Sequence, residues 1–254
     1  MEFIEMTPER LEREHICCAL GAKAYEEAVN SKKSWLKDRM AEGLTFVRLN
    51  ERAKVFIEYL PAEAAWVPVH APNYMMINCL WVSGKYKGQG YGRKLLERCI
   101  ADARARGMDG VVHVFSDKKM PYLSERKFFL NHGFEVVDEA EPYYELAVLR
   151  WNDAAPLPSF KESARSLTVN EDGLVVYYTP QCPFAAGVLQ DWQAVAEERG
   201  IPFRAHRILS REEAQKAPAP WTTFAFFYDG RYVGHEMMSR KKLEQVLEGV
   251  AGET

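Results

Sequence analysis

The chain has 254 residues, 47% hydrophobic and 27% charged, an ordinary balance for a soluble globular protein and more length than a single domain usually takes. Its net charge of −3 comes from 33 basic and 36 acidic residues, 22 against 23 before Lys161 and 11 against 13 from there on, so neither half has the basic surplus that nucleic acid or a membrane surface requires. No apolar run approaches the roughly 20 residues of a membrane span, and the acidic start MEFIE lacks the basic end of a signal peptide, which points to the cytoplasm.

In chain order, Thr7-Pro8 is helix-start chemistry, a capping hydroxyl followed by proline at the first helical position. ICCAL, from Ile16 to Leu20, is short, apolar and closed by Gly21, and reads as a buried strand. Ala24 to Glu42 reads as a helix, with Trp35, Leu36 and Met40 on one side, Ser31 as a possible cap and Gly43 as its end. Thr45 to Leu49 and Lys54 to Leu60 form a hairpin over Asn50-Glu51-Arg52. Pro61 to Pro72, with Trp66 and His70, is irregular and is expected at a pocket rim. Five cysteines (Cys17, Cys18, Cys79, Cys99, Cys182), without C-x-x-C spacing, indicate reduced thiols rather than disulfides or a zinc site.

The stretch from Tyr74 to His113 is the most informative. An apolar strand (Met75 to Val82) stops at Ser83-Gly84, and glycines follow at alternate positions, Gly88, Gly90 and Gly92. Leu95, Leu96, Cys99, Ile100 and Ala103 then recur at helical spacing, Gly107 ends the helix, and Val111 to Phe115 is the next strand. A strand, glycine loop, helix and strand bring unpaired N–H groups and the positive end of a helix dipole to one point, an anion site. Gly92-Arg93-Lys94 is not the ending of a Walker loop, and a single residue between Gly90 and Gly92 breaks the dinucleotide fingerprint.

VSGKYKGQGYG, from Val82 to Gly92, instead resembles the acetyl-CoA signature of the GCN5-related N-acetyltransferases (GNAT), in which Arg/Gln-x-x-Gly-x-Gly/Ala follows a strand ending in Val. Lys87 stands where that family has Arg or Gln. The resemblance implies acetyl-CoA as cofactor, with pyrophosphate on the backbone of Lys87, Gly88, Gln89, Gly90, Tyr91, Gly92 and Arg93, and pantetheine along the strand edge at Leu80, Trp81 and Val82. A helix from Ser124 to about Asn131 running through Gly133-Phe134 into a strand is a second family feature, and YYELAVLRW, from Tyr143 to Trp151, closes the unit.

NDAAPLPS, from Asn152 to Ser159, reads as a linker. Beyond it come a strand (Leu174 to Tyr178), a turn (Thr179 to Phe184), a helix (Ala185 to Arg199), a strand (Phe203 to Leu209), a short helix (Glu212 to Lys216), a hairpin over Asp229-Gly230 and a last helix (Arg240 to Val250). That order, βαβαββα, is the thioredoxin-like one, and YTPQCPF from Tyr178 with PAPWTTF from Pro218 resembles the YoaP-type domain fused behind such acetyltransferases. The expected class is α/β (α+β), a GNAT-type mixed central sheet with flanking helices (1–151), a linker (152–164) and a smaller thioredoxin-like domain (165–254).

The chemistry implied is direct attack of a primary amine of a small acceptor on the acetyl thioester in a ternary complex. A base and an acid are then wanted. Glu58, a carboxylate among apolar neighbours, is the candidate base, ahead of His15 and His70. The family's proton-donating tyrosine is replaced by Phe129, which leaves Tyr122 as the nearest donor in sequence. Cys79, on the strand feeding the loop, reads as inert core. Cys182, at a helix start, is the third catalytic candidate: the dipole should acidify it, and the loop before the strand at Thr222 should face it with a cis bond at Pro220. Ala185 stands in place of a second thiol, so no dithiol reduction is available. The alternative reading is a non-catalytic acetyl-CoA-binding protein with a redox-sensing or substrate-binding module centred on Cys182. Tyr59, Trp66, Tyr74 and Tyr122 suggest a partly apolar acceptor pocket.

Overall fold

The structure, a computed structural model, describes residues 2–251. Met1 and residues 252–254, the end of the expected carboxy-terminal unit, lie outside the described residues.

The chain opens with β1 (Phe3–Glu5), α1 (Pro8–Arg13), α2 (Glu26–Met40), β2 (Thr45–Leu49), β3 (Val55–Pro61), β4 (Val69–His70) and β5 (Tyr74–Val82). It continues through α3 (Tyr91–Ala105), β6 (Gly110–Ser116), α4 (Arg126–Leu130), β7 (Glu135–Ala140) and β8 (Tyr144–Arg150). Seven of these strands make one sheet in the order β1-β2-β3-β5-β6-β8-β7. Its one parallel pair is β5 with β6, on either side of α3 in the sequence. Residues alternate across β6: Val111 and Phe115 pack with Leu95, Leu96 and Cys99 of α3, while Val112 and Val114 pack with Trp35 and Leu36 of α2 on the opposite face. The sheet is thus covered on both sides.

One irregularity makes the site. β5 pairs with β6 only from Tyr74↔Gly110 to Ile77↔His113. From Cys79 to Val82 it pairs with β3 alone, so β5 and β6 part and leave the outer edge of β5 free.

The chain then makes β9 (Ser159–Phe160), which pairs with β4, and a second sheet. Here β10 (Leu174–Tyr178) runs parallel to β11 (Phe203–Arg207) and antiparallel to β12 (Phe224–Tyr228), and β12 pairs with β13 (Arg231–Gly234). The helices are α5 (Pro183–Gly187), α6 (Leu189–Glu198), α7 (Arg211–Ala214) and α8 (Arg240–Ala251). Trp192 of α6 sits against Phe224 and Phe226 of β12, and its indole donates to Met238 O at 3.0 Å.

The two sheets share apolar packing. Trp35 and Trp66 from the first half lie in one buried cluster with Ile208, Ala214 and Trp221 from the second. Thr222 Oγ1 donates to Trp66 O, and Gln215 Nε2 to Glu63 O and Ala65 O at 3.1 and 3.0 Å. At Gly187 an added Cβ would lie 1.9 Å from Tyr25 Cε1, so α5 approaches the Lys23–Tyr25 turn as closely as glycine allows. Residues 152–158 have no regular structure, yet Ala155 is buried and Phe160 and Ala164 join the shared cluster.

Four local expectations are corrected. Ile16 to Leu20 is a buried turn and not a strand: Cys17 and Ala19 take φ of 65° and 50°, and the run signalled burial without a strand to pair with. Ser31 lies inside α2, which a 3-10 turn at Lys23–Tyr25 begins. The helix expected from Ala185 is two helices, α5 and α6, broken at Val188. The bond before Pro220 is trans, and the one cis peptide among the described residues is Glu141–Pro142.

Candidate active site

A cavity of about 520 Å³ opens beside the free edge of β5, where the two sheets meet. Its floor comes from β3, β5 and α2 (Phe56, Glu58, Asn78, Cys79, Lys32), and its far wall from Gln181, Cys182, Phe184, Trp221 and Met237. Leu80, Trp81 and Lys87 lead from it toward the glycine loop.

Glu58 is 1% exposed and faces inward. Strand alternation alone leaves its side open, but the β3–β5 register shifts between Glu58 and Tyr59, giving β5 an extra residue. Such a bulge re-aims side chains, and Asn78 Nδ2 donates to Glu58 Oε1 at 3.0 Å. The other oxygen lies 2.8 Å from Lys32 Nζ, which is 2% exposed. Burial pulls the Lys32 pKa down, but the acidic groups facing it, Cys18, Glu58 and Cys79, outweigh that and raise it. Burial pushes the Cys18 and Cys79 thiols up, so they stay protonated, and Glu58 is the charge that holds the ammonium.

Tyr122 reaches the cavity from the loop after β6, in a left-handed conformation (φ 63°). Its hydroxyl donates to Met237 O at 2.9 Å, tying that loop to the second sheet, and burial raises its pKa. His235 adds a second tie. Its Nε2 donates to Pro121 O at 2.9 Å, which leaves Nδ1 to accept from Tyr143 at 2.7 Å. Phe129, in the position of the family's tyrosine, is sealed between His113, Phe115 and Phe134 and carries no proton to give.

Cys182 lines the cavity at the start of α5, but burial pushes its thiol up to about 12. The expected acidification is overturned: desolvation of a thiolate outweighs the dipole of a five-residue helix. Trp221 and Thr223 line the cavity whereas Pro220 does not, and its preceding bond is trans, so the active-thiol reading loses both its marks. Of the expected aromatics, only Tyr122 lines the cavity. Tyr59 and Tyr74 are core residues and Trp66 belongs to the junction, while Phe56, Trp81, Phe184 and Trp221 take their place. His15 accepts from the Cys17 N–H at 3.2 Å, and His70 sits on the exposed side of β4.

Sequence reasoning passed over His113. It is 1% exposed at the last paired position before β5 and β6 part, and its Nδ1 lies 2.8 Å from Ile77 O. A carbonyl only accepts, so Nδ1 carries the proton. The ring takes the Ile77 carbonyl at the point where the ladder ends. Its Nε2 is buried without a partner, against Phe129 with ring centroids 4.4 Å apart, and burial lowers its pKa to about 4. A histidine within the apolar run VVHVF was the available signal.

In the loop, Gly88 and Gly90 have φ of 73° and 78°, and Gly90 is the left-handed N-cap of α3. A Cβ on either would point into open space, with nothing within 4 Å. Gly92 lets α3 rest on Phe128, 3.3 Å from where its Cβ would be. Arg93 is held by Glu97 at 2.8 Å, and Gln89 Nε2 donates to Lys85 O. Tyr91 is buried against Phe3 and Tyr86.

Residues 12–134 match the "Acetyltransferase (GNAT) family" profile, and residues 202–245 match the "YoaP-like" profile. The chain is 55% identical, over 99% of its own length and all of the other's, to the "Uncharacterized N-acetyltransferase YoaP" of Bacillus subtilis (strain 168). The chain belongs to the GNAT acetyltransferase family. Solved structures similar to part of it include the PaiA N-acetyltransferase of Thermoplasma acidophilum in complex with coenzyme A, 14% identical over 59% of this chain and 100% of that one, at a TM-score of 0.42. An acetyltransferase of Thermus thermophilus is 15% identical over 59% and 96%, at 0.43.

A GNAT enzyme takes its acetyl group from acetyl-CoA. The residues here suit that donor. The loop offers two glycine positions open to an approaching phosphate. The first-turn N–H groups of a helix have no intrahelical acceptor, and β5 presents a strand edge that β6 has vacated. The strand β5 therefore joins the glycine loop to the cavity.

Proposed function

We propose that this GNAT enzyme acetylates the primary amine of a small acceptor seated in the 520 Å³ cavity, by direct attack in a ternary complex. Acetyl-CoA supplies the activated acetyl thioester. In this reading the backbone from Lys87 to Arg93 holds the pyrophosphate, and the open edge at Leu80, Trp81 and Val82 bonds the pantetheine amides as an added strand would. Glu58 takes the proton of the attacking amine, held in place by Asn78 and Lys32. Tyr122 keeps its proton on Met237 O, so its role is to close the roof of the pocket. With Phe129 unable to donate, the thiolate leaves without a tyrosine acid.

The observation that carries this reading is the run of β5 from the glycine loop to Cys79, opposite Glu58 on β3, with its outer edge unpaired from Asn78 onward. We also infer two units, 1–151 and 165–254, joined by 152–164, the second a thioredoxin-like module without the dithiol. The strand order β11-β10-β12-β13 supports that description. The test is thiol release from acetyl-CoA with a panel of primary amines, alongside calorimetric titration with acetyl-CoA. Binding without transfer to any amine would overturn the acceptor and base assignments. Absence of binding would overturn the cradle.

A further inference from the structure

The cavity beside β5 is not built by the acetyltransferase sheet alone. Gln181 and Phe184, at the start of α5, Trp221 and Thr223, before β12, and Glu236 and Met237, after β13, supply the wall that faces Glu58. This wall is fixed in place at separate points. Phe184 packs edge-to-face on Tyr25 with centroids 5.1 Å apart, Gln181 reaches Trp66 O at 3.5 Å, and Met237 O and His235 hold the loop at Pro121 and Tyr122. The glycine loop, by contrast, packs with residues of the first half, Phe3, Lys85, Tyr86 and Phe128 among them. The carboxy-terminal part of the chain therefore contributes to the wall of the acceptor cavity that faces Glu58.

The charges give the acceptor's character. Of the two carboxylates on the cavity, Glu58 is paired with Lys32, and Glu236 receives Lys242 Nζ on both oxygens at 2.6 Å. Lys87 and Lys119 also line it, and neither has an ion-pair partner among the described residues. With Lys87 beside the pyrophosphate, the charge left uncompensated is the positive one of Lys119, which repels a polycation. The apolar lining includes the rings of Phe56, Trp81, Phe184 and Trp221 beside aliphatic side chains such as Met237.

We propose that the carboxy-terminal unit is the acceptor-recognition element of the transferase, with Phe184 and Met237 as specificity-determining residues, and that the acceptor carries one amine on an aromatic or aliphatic body. The proposal rests on the N-acetyltransferase reading above and assigns the second unit a part in it.

The test uses the full chain with 2-phenylethylamine, hexylamine and spermidine as acceptors. Wild type should prefer the monoamines over spermidine. Phe184→Ala and, separately, Met237→Ala should change the ratio of kcat/KM between 2-phenylethylamine and hexylamine by about tenfold or more, the scale on which apolar pocket contacts discriminate. Acetyl-CoA affinity by calorimetry should stay within about twofold, since neither residue belongs to the donor site, and Phe184→Leu should fall between wild type and Phe184→Ala. Ratios unchanged in both alanine variants, or spermidine as the best acceptor, would overturn the proposal. Failure of the wild-type chain to bind acetyl-CoA, read in the same calorimeter, would instead refute the underlying transferase reading.

Discussion

Lys32 of α2 and Glu58 of β3 meet at 2.8 Å on the cavity floor, 2% and 1% exposed. Two such charges leave water at a cost of several kcal/mol each, which their attraction offsets only when both are present. The pair therefore holds the Glu58 side chain beside the place where an amine must lose a proton, and it couples the fold to the chemistry.

Removing one partner should separate those roles. Lys32→Met leaves a buried carboxylate without its cation and should cost about 3–5 kcal/mol of stability, read by urea unfolding at pH 7.5. Glu58→Gln keeps the shape and the bond to Asn78 but removes the base. It should lower kcat by roughly 10²–10⁴-fold. A kcat within about twofold of wild type would dismiss Glu58 as the base.

Gly90→Asp tests the cradle. The new Cβ meets nothing within 4 Å, and the backbone φ of 78° is one that Asp, among non-glycine residues, tolerates comparatively well. The fold should survive, with thermal unfolding lowered only modestly by the left-handed backbone, while the carboxylate fills the anion site and acetyl-CoA binding disappears in calorimetry. Retained affinity would remove Lys87 to Arg93 from the donor site.

Tyr122→Phe distinguishes a roof from an acid. The hydroxyl's proton points to Met237 O, so its loss should loosen the wall and raise the acceptor KM several-fold, about what one neutral hydrogen bond is worth. The kcat should move much less than the roughly 10²–10⁴-fold expected of a lost general acid. A fall in kcat on that scale at unchanged KM would restore Tyr122 as proton donor.

Cys182 should be sluggish. With its thiol pushed up to about 12, the thiolate at pH 7.5 is scarce beside that of an ordinary cysteine near 8.5. Alkylation followed by mass spectrometry should run at least about 100-fold slower in the native chain than after denaturation. Labelling as fast as in free cysteine would revive the acidified-thiol reading.

What the sequence disclosed follows from which forces are local. The strand–glycine–helix stretch from Tyr74 to Ala105 was legible because periodicity and positive-φ glycines are written in consecutive residues. Glu58 could be named but not oriented, because a bulge that depends on pairing with β5 decides which way Asn78 and Glu58 face. Lys32 was invisible: a lysine inside a polar helix gives no sign that a carboxylate 26 positions later will bury it. Cys182 was misjudged because a helix start is local, whereas the desolvation that opposes it comes from packing among elements far apart in sequence. Tyr59 and Tyr74 were misplaced for a similar reason, since aromatic content does not tell core from pocket.

His113 ties the fork between β5 and β6 to pH. Its Nδ1–H holds Ile77 O, and Nε2 is enclosed by phenyl rings, so protonation places a charge where nothing can solvate it. Burial lowers its pKa from the ordinary 6.5 to about 4. A histidine depressed in the folded state contributes stability that is fully present above the unfolded value and is lost as pH falls toward the folded one, because the unfolded chain binds the proton first. Stability should therefore decline between about pH 6.5 and 4, by about 2 kcal/mol on reaching pH 5, at about 1.4 kcal/mol per pKa unit. His235 and His15, also lowered by burial, act in the same direction, so the measure is a difference. Urea unfolding of wild type and His113→Asn at pH 7.5 and 5 should show a pH dependence smaller by about that amount in the variant, whose amide keeps a donor for Ile77 O without titrating. His113→Leu, with no donor, should also weaken acetyl-CoA binding in calorimetry while His113→Asn largely retains it. Equal pH dependence in wild type and His113→Asn would show that burial does not hold this imidazole uncharged in the folded chain.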